Sequence, residues 1–160
     1  MRNFRLALHL AVSLVLAYAA GFIGSLFTTS AVLGTWYVSL HKAALNPPNY
    51  VFAPVWSFLY TLMAFAAWRI YERRLTDPRS YRALVIYGIH LLVNVAWSVA
   101  FFGFAAPALA LGIIGVLFLF VLTLTVLFYR IDRTSGLLFL PYLLWVAFAA
   151  YLNLSIVLLN

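Results

Sequence analysis

The stretch NPPNYVFAPVWSFLYTLMAFAAWR, residues 46–69, joins a helix-breaking start to a long apolar run. Pro47 and Pro48 do not fit a helix interior but are tolerated in a first helical turn, so a helix is predicted to begin here. At a rise of about 1.5 Å per residue, the apolar run that follows is long enough to cross a membrane. One face of this predicted helix is aromatic, with Phe52, Trp56 and Tyr60 spaced four residues apart, and the polar residue Asn49 lies at the start of the helix.

Composition places the chain among integral membrane proteins. Of its 160 residues, 67% are hydrophobic and 8% are charged, which is more apolar surface than a soluble domain of this size can bury. The chain has no cysteine, so neither disulfides nor thiolate chemistry is predicted. The net charge of +7 does not indicate nucleic-acid binding, because the basic residues flank hydrophobic spans. Membrane lipid is therefore a predicted partner, and nucleic acid is not.

Hydropathy predicts an all-α membrane protein with one domain, a single bundle of five transmembrane helices. The spans are predicted at residues 6–27, 48–71, 83–102, 107–128 and 137–159, with a long first loop at 28–45. A signal peptide is the alternative for the first span, since Ala17-Tyr18-Ala19 resembles a cleavage site. The apolar run continues past that point, which favours a retained helix.

Small residues recur along the first span at a spacing of four, as Ala17 with Gly21 and Ala20 with Gly24. Such pairs let a second helix approach closely. The second helix would belong either to the same bundle or to another copy of the chain, and the sequence does not separate these readings. A homodimer through these small-residue faces is one prediction.

The charges predict the orientation of the bundle. With five spans, one side of the membrane holds nine arginines, and Lys42 is the only basic residue on the other side. By the positive-inside rule the N-terminus is predicted to be cytoplasmic and the C-terminus outside, in a bacterial inner or plasma membrane. The nine are Arg2, Arg5, Arg69, Arg73, Arg74, Arg79, Arg82, Arg130 and Arg133.

Polar and aromatic residues on three spans and the first loop are predicted to surround one cavity. Asn94 is costly in lipid unless it faces the bundle interior, where it either packs helices or contacts a ligand. An aromatic belt at the membrane surface is the alternative for any single tryptophan. The predicted cavity residues are Trp36, Asn49, Phe52, Trp56, Tyr60, Asn94, Trp97, Phe101, Tyr142, Trp145 and Asn153.

These motifs, in their order, resemble one protein family over nearly the whole chain. They are Trp36-Tyr37, Asn46-Pro47-Pro48 with Trp56 and Tyr60, Asn94-x-x-Trp97 with Phe101-Phe102, and Pro141-Tyr142-x-x-Trp145 with Asn153. Together they resemble the tryptophan-rich sensory protein family, also called the translocator protein or peripheral benzodiazepine receptor family. The chain departs from the family pattern just before the two prolines, where Lys42 is followed by Ala43, Ala44 and Leu45.

The resemblance implies a five-helix bundle, often dimeric, that binds tetrapyrroles such as protoporphyrin IX or haem and requires no cofactor. It implies that Trp56 and Trp145 are the pocket tryptophans linked in bacterial relatives to light-dependent porphyrin breakdown. It also implies that Asn94 is part of the pocket wall and that Trp36 belongs to a lid. Some members bind cholesterol, but no basic residue follows Tyr151, so sterol binding is not predicted for this chain.

Three functions from different classes fit the sequence: a tetrapyrrole-binding receptor or sensor, a light- and oxygen-dependent porphyrin-degrading enzyme with Trp56 and Trp145 as its catalytic candidates, and a transporter of porphyrins or other apolar molecules. The sequence shows no acid–base constellation, since Glu72, Asp77 and Asp132 all fall in the basic loops. The transporter is disfavoured because five spans do not divide into equal repeats. No metal site is predicted, because the histidines His9, His41 and His90 lack paired ligand spacing.

Overall fold

The structure, a computed structural model, describes residues 2–160, apart from the side chains of Arg2, Ser30 and Leu33. The Arg2 charge, which belongs to the predicted positive side, therefore lies outside the described residues. Over this range the chain forms six α-helices and one π-helical turn, and no strand. They are α1 (Arg2–Leu33), α2 (Thr35–Ser39), α3 (Asn49–Glu72), α4 (Arg79–Ser98) continued by the π-helical turn Val99–Gly103, α5 (Pro107–Ile131) and α6 (Arg133–Leu159).

Within the described range, five helices are long and apolar enough to cross a membrane, which confirms the predicted all-α membrane fold. They form a ring: α1 packs on α3 and α4, α3 packs also on α6, and α5 lies between α4 and α6. We call the end of the ring that carries Arg69, Arg79 and Asp132 the arginine end, and the end that carries residues 34–48 the loop end. The chain is therefore a multi-pass integral membrane protein.

The first loop is shorter than predicted. Residues 28–33 continue α1, and Thr35–Ser39 forms the short helix α2, so the prediction of a loop over 28–45 was wrong at both of these segments. The threonine at position 28 does not break α1, because its hydroxyl donates to the carbonyl oxygen of Gly24 at 3.1 Å, one turn earlier. Only residues 40–48 connect α2 to α3 without helix.

The corner between α5 and α6 is a single residue, Asp132, whereas the predicted spans left residues 129–136 between the two helices. Its carboxylate caps α6 by accepting from the backbone nitrogen of Ser135 at 3.0 Å. It also accepts from Arg69 Nε at 2.8 Å and Arg73 Nη2 at 3.2 Å, which ties α3 to the corner. The Arg69 guanidinium and the bonds from Ser135 hold the pKa of Asp132 well below its usual range.

Two substitutions separate the charge of Asp132 from its capping role. Asp132→Asn keeps the cap and loses the ion pairs, and we expect a loss of about 1–2 kcal/mol of unfolding free energy because Arg69 is partly exposed. Asp132→Ala loses the cap as well, which should cost about 1 kcal/mol more. Unfolding in detergent micelles at pH about 7 measures both differences.

The pH dependence gives a second check on the same carboxylate. Because its folded pKa is depressed, its stabilisation is fully present above the unfolded pKa of about 3.9 and is lost as the pH falls through the folded value. The gap between wild type and Asp132→Asn should therefore shrink only at pH below about 4. A gap that stays constant from neutral to strongly acidic pH would contradict this role for the charge.

The small residues of α1 pack inside the chain. Ala17 and Ala20 are buried, Gly21 lies against the Tyr60 ring, and Gly24 lies against Ser98. Of the two readings of this stripe, the structure supports packing within one bundle. The homodimer stays a prediction, and it would have to use another face of the protein.

Candidate ligand-binding cavity

A cavity of about 500 Å³ lies inside the ring in its half nearer the loop end. Four of the five long helices supply its walls, together with the π-helical turn and Tyr37. The lining residues are Tyr18, Gly21, Phe22, Gly24, Ser25, Thr28, Thr29 and Val32 of α1; Tyr37; Asn49, Phe52, Ala53, Trp56, Ser57 and Tyr60 of α3; Asn94, Trp97, Ser98 and Phe102; and Trp145 and Ala149 of α6. Seven of the predicted residues are brought together here: Asn49, Phe52, Trp56, Tyr60, Asn94, Trp97 and Trp145.

The aromatic face of α3 forms one wall of the cavity. Trp56 stacks on Tyr60 with ring centroids 5.5 Å apart, and Phe52 meets Trp145 of α6 edge to face at 6.0 Å. The spacing of four between these α3 residues keeps them on one side of the helix, and the contacts between rings fix their orientation. The result is a rigid surface suited to a flat apolar ligand.

A chain of hydrogen bonds supports this wall from behind. Tyr60 donates to Asn94 Oδ1 at 2.8 Å, and Asn94 Nδ2 donates to Tyr142 Oη at 2.9 Å. His90 Nδ1 lies 2.9 Å from the carbonyl oxygen of Tyr87, which can only accept, so this nitrogen carries the proton. In a neutral ring Nε2 then accepts from Tyr142 at 3.1 Å. Each hydrogen bond of this network therefore has a defined donor and a defined acceptor, and together the bonds hold Tyr60 and Asn94 in place.

Tyr142 and Asn153 were predicted to contact a ligand, but the structure places both one layer behind the cavity wall. Tyr142 is fully buried between Asn94 and His90 and touches Trp56 edge to face at 6.2 Å. Asn153 accepts from Trp97 Nε1 at 3.1 Å and donates to the carbonyl oxygen of Pro107 at 2.8 Å. Both polar groups are satisfied by protein partners, so they position the wall.

Phe101 was predicted as a cavity residue, and its neighbour Phe102 takes that place. The backbone of the π-helical turn bonds from Phe104 N–H to Val99 O at 2.9 Å, one residue further along the chain than in an α-helix. The extra residue in this turn shifts the face that continues from Asn94, so Phe102 lines the cavity. Phe101 is instead buried in a separate cluster with Tyr37 and Ile156.

Tyr37 lies at the loop end of the cavity, where the family resemblance implied that Trp36 would form a lid. Tyr37 is 6% exposed and packs on Phe102 with ring centroids 5.7 Å apart, whereas Trp36 packs outside it on Phe101. Lys42 Nζ lies 4.6 Å from the Tyr37 ring centroid, a cation–π contact. Burial raises the pKa of Tyr37, so the phenol stays neutral.

The α1 wall was missed by the sequence interpretation. This helix contributes glycines, serine and threonine hydroxyls, Tyr18 and Phe22 to the cavity. The signal that could have found it is the run Gly21, Gly24, Ser25, Thr28, in which small and polar residues repeat at helical spacing within an apolar span. The sequence pattern alone assigns these glycines to helix packing, within the bundle or against another copy of the chain.

The chemistry of the lining is neutral. None of the residues that line the cavity is acidic, basic or a histidine. Trp145 lines the cavity, but its Nε1 is itself buried and has no hydrogen-bond partner in the part of the chain that the structure describes. Among residues 2–160 there is no group of three or more histidine, cysteine or acidic side chains that could hold a metal ion.

Comparison with known proteins agrees with the motifs. The model of the TspO/MBR family matches residues 11–159. The chain is 36% identical to the tryptophan-rich protein TspO of Chlorobaculum tepidum over 96% of both chains. It is 38% identical to the tryptophan-rich sensory protein of Cereibacter sphaeroides over 86% of this chain and 85% of that one. It is 31% identical to the human translocator protein over 89% of this chain and 85% of that one.

Proposed function

The chain belongs to the TspO/MBR family, and from this and the cavity we propose that it is a membrane receptor or sensor that binds tetrapyrroles such as protoporphyrin IX or haem. The observation that carries the proposal is the cavity itself, whose walls are aromatic and uncharged. A tetrapyrrole is a broad flat apolar ring system, and the faces of Trp56, Tyr60 and Trp145 offer it stacking surface.

The size and the donors of the cavity also support this ligand class. Its volume of about 500 Å³ falls within the range of small-molecule sites, about 300–1,000 Å³. The lining has few polar groups, so a ligand would be oriented by a small number of hydrogen bonds, and the amide side chain of Asn94 is one of the groups in the wall. We further propose that the arginine end faces the cytoplasm of a bacterial cell, because the loops of membrane proteins on the cytoplasmic side carry an excess of lysine and arginine.

A titration with protoporphyrin IX in the dark tests the proposal. Binding should quench tryptophan fluorescence saturably, because Trp56 and Trp145 lie in the cavity wall. The double variant Trp145→Phe, Asn94→Ala removes one stacking ring and one polar wall group, so its affinity should fall by at least about tenfold. Trp68→Phe is the matched control, since Trp68 lies outside the cavity lining, and its affinity should change by less than about twofold.

The outcome of the titration decides the proposal directly. If the wild-type protein shows no saturable quenching, tetrapyrrole binding in this cavity is wrong. If the double variant and the Trp68→Phe control bind equally well, the ligand binds somewhere else on the protein.

Light-dependent breakdown of the porphyrin is the second candidate function, favoured by the two indole rings of Trp56 and Trp145 in one cavity wall. An indole close to a photoexcited porphyrin can donate an electron to it. The same preparation under light and oxygen would then form a new absorbing product. Formation of this product by a Trp56→Phe, Trp145→Phe variant at the wild-type rate would remove both residues from such a reaction.

A further inference from the structure

The cavity has a side opening between α1 and α3. Residues on both of these helices line the cavity and are also exposed on the outside of the bundle: Phe22, Ser25 and Thr29 of α1, and Ala53 and Ser57 of α3. Phe22, for example, is 65% exposed. Such residues mark where at most one layer of side chains separates the cavity from its surroundings; Tyr18 and Asn49 are two more, whereas no lining residue of α4, the π-helical turn or α6 is exposed. In a membrane-spanning bundle the surroundings at this depth are lipid chains.

The contacts along α1 explain why the gap lies in this half of the bundle. Near the arginine end α1 is joined to α3, because His9 Nδ1 lies 2.6 Å from Glu72 Oε1. Midway, Tyr18 donates to the carbonyl oxygen of Ser57 at 3.0 Å and bonds to Thr61 at 2.8 Å. These bonds form the floor of the opening.

Toward the loop end, α1 packs on the opposite neighbour. Gly24 lies against Ser98 of α4, and the Phe27 ring lies against Gly103 of the π-helical turn. The absence of a Cβ at both glycines permits this close approach. The part of α1 nearer the loop end therefore packs on α4 and the π-helical turn, and its opposite side faces the gap to α3.

The loop end of the cavity is covered where Tyr37 lies, although the lining residue Asn49 at the start of α3 is exposed there. Tyr37 itself is buried. The connection that follows α2 is fastened to the end of α6, because the Asn160 side chain accepts from His41 N at 2.9 Å and donates to His41 O at 3.0 Å. This pair of bonds to the main chain holds the cover in one position. A ligand that enters past Tyr37 would have to break these contacts, and a ligand that enters between α1 and α3 would not.

We propose that ligands reach the cavity sideways, from the membrane leaflet at the loop end, through the gap between α1 and α3 above Tyr18. The uncharged lining fits the apolar ring of an amphiphile that partitions into lipid. The two carboxylates of a tetrapyrrole would have to stay at the membrane surface, since a charge passing through the gap would lose its hydration without gaining a partner. The ligand class is thus a flat, mostly apolar amphiphile that partitions into the bilayer. This inference rests on the proposed function, because it assumes that this cavity is the binding site.

Reversible crosslinking across the gap tests the route, and the chain has no cysteine of its own. Tyr18 contacts Ser57, so in this antiparallel pair Ser25 lies opposite the turn that holds Ala53. A Ser25→Cys, Ala53→Cys variant in phosphatidylcholine vesicles is closed with a short bis(methanethiosulfonate) reagent, which joins the two thiols through reducible disulfides and releases a sulfinate at each end. The control is His9→Cys, Glu72→Cys, which joins the same two helices at the arginine end.

The probe is protoporphyrin IX in the dark, followed by tryptophan quenching. Closing the gap should slow association and dissociation alike by at least about tenfold relative to the same variant with its crosslink reduced, because a blocked route slows passage both ways. Reduction of the crosslink should restore both rates. The crosslinked control should differ from its reduced form by less than about twofold.

Unchanged association after the gap is closed, or equal slowing by both crosslinks, would overturn the lateral route while leaving cavity binding intact. Loss of affinity with unchanged dissociation of preloaded ligand would overturn it too, since the route would then not limit exchange. If the unmodified protein does not bind protoporphyrin IX at all, the proposed function fails and this inference fails with it.

Discussion

Replacing Gly136 with alanine is expected to lower the free energy of unfolding by about 3 kcal/mol, the upper end of the usual cost of overpacking. A Cβ at this position would lie 2.5 Å from the Cα and 2.7 Å from the backbone nitrogen of Tyr129. Both atoms belong to the backbone of α5, so no change of side-chain rotamer relieves the contact. The two helices would have to move apart.

Separation of α5 and α6 at this point would also disturb the corner between them. Gly136 is in the first turn of α6, and its N–H donates to the carbonyl oxygen of Asp132 at 3.2 Å. Asp132 in turn holds Arg69 of α3. A shift of α6 therefore strains an ion pair as well as a packing contact, and the two losses add in the same direction.

Gly115→Ala is the matched control on the neighbouring helix. Nothing lies within 4 Å of a Cβ at Gly115, which is exposed on the outside of α5. Alanine is the better helix former, so this variant should be neutral or more stable by up to about 1 kcal/mol. Unfolding followed by circular dichroism in mixed micelles measures both variants. Equal stabilities would show that the approach of α5 and α6 is not as close as described.

The spans and the aromatic wall could be predicted from the sequence because both depend on residue type and a single period. Apolar runs of sufficient length have few alternatives to a membrane helix. Residues spaced four apart on such a helix, like Phe52, Trp56 and Tyr60, must share a face. Asn94 had to face inward because an amide in contact with lipid is too costly.

The layer in which a polar residue lies could not be predicted in the same way. Tyr142 and Asn153 face the interior, as their polarity requires. Each forms a hydrogen bond with another side chain there, and neither lines the cavity. Polarity specifies that a partner is needed and does not specify which one. The prediction for Phe101 failed for another reason. The sequence contains no signal for the π-helical turn, which places Phe102 instead of Phe101 on the side that faces the cavity.

The second large effect is expected for ligand binding: Gly21→Ala should weaken the dark affinity for protoporphyrin IX by at least about tenfold, or about 1.4 kcal/mol. A Cβ at Gly21 would lie 2.5 and 2.8 Å from two carbons of the Tyr60 ring. Those atoms are at the end of a side chain, so Tyr60 moves and α1 stays. Titration by tryptophan quenching in the dark gives the affinity.

Movement of Tyr60 changes the cavity in two ways. The ring leaves its stack on Trp56, and its hydroxyl leaves Asn94 Oδ1, at present 2.8 Å away. The freed amide oxygen is buried, which should cost about 1 kcal/mol of stability. The displaced ring also occupies space that a ligand would use, so the effect on binding exceeds the effect on folding.

Two comparisons separate these causes. Gly88→Ala makes the same change on an exposed part of α4 with nothing within 4 Å, and it should leave binding unchanged. Tyr60→Phe removes the hydrogen bond but keeps the ring in its stack, so its affinity should fall by less than about threefold. If Gly21→Ala binds like wild type, Tyr60 does not form the cavity wall. If Tyr60→Phe loses as much affinity as Gly21→Ala, the hydroxyl, through Asn94, contributes more to binding than the position of the ring.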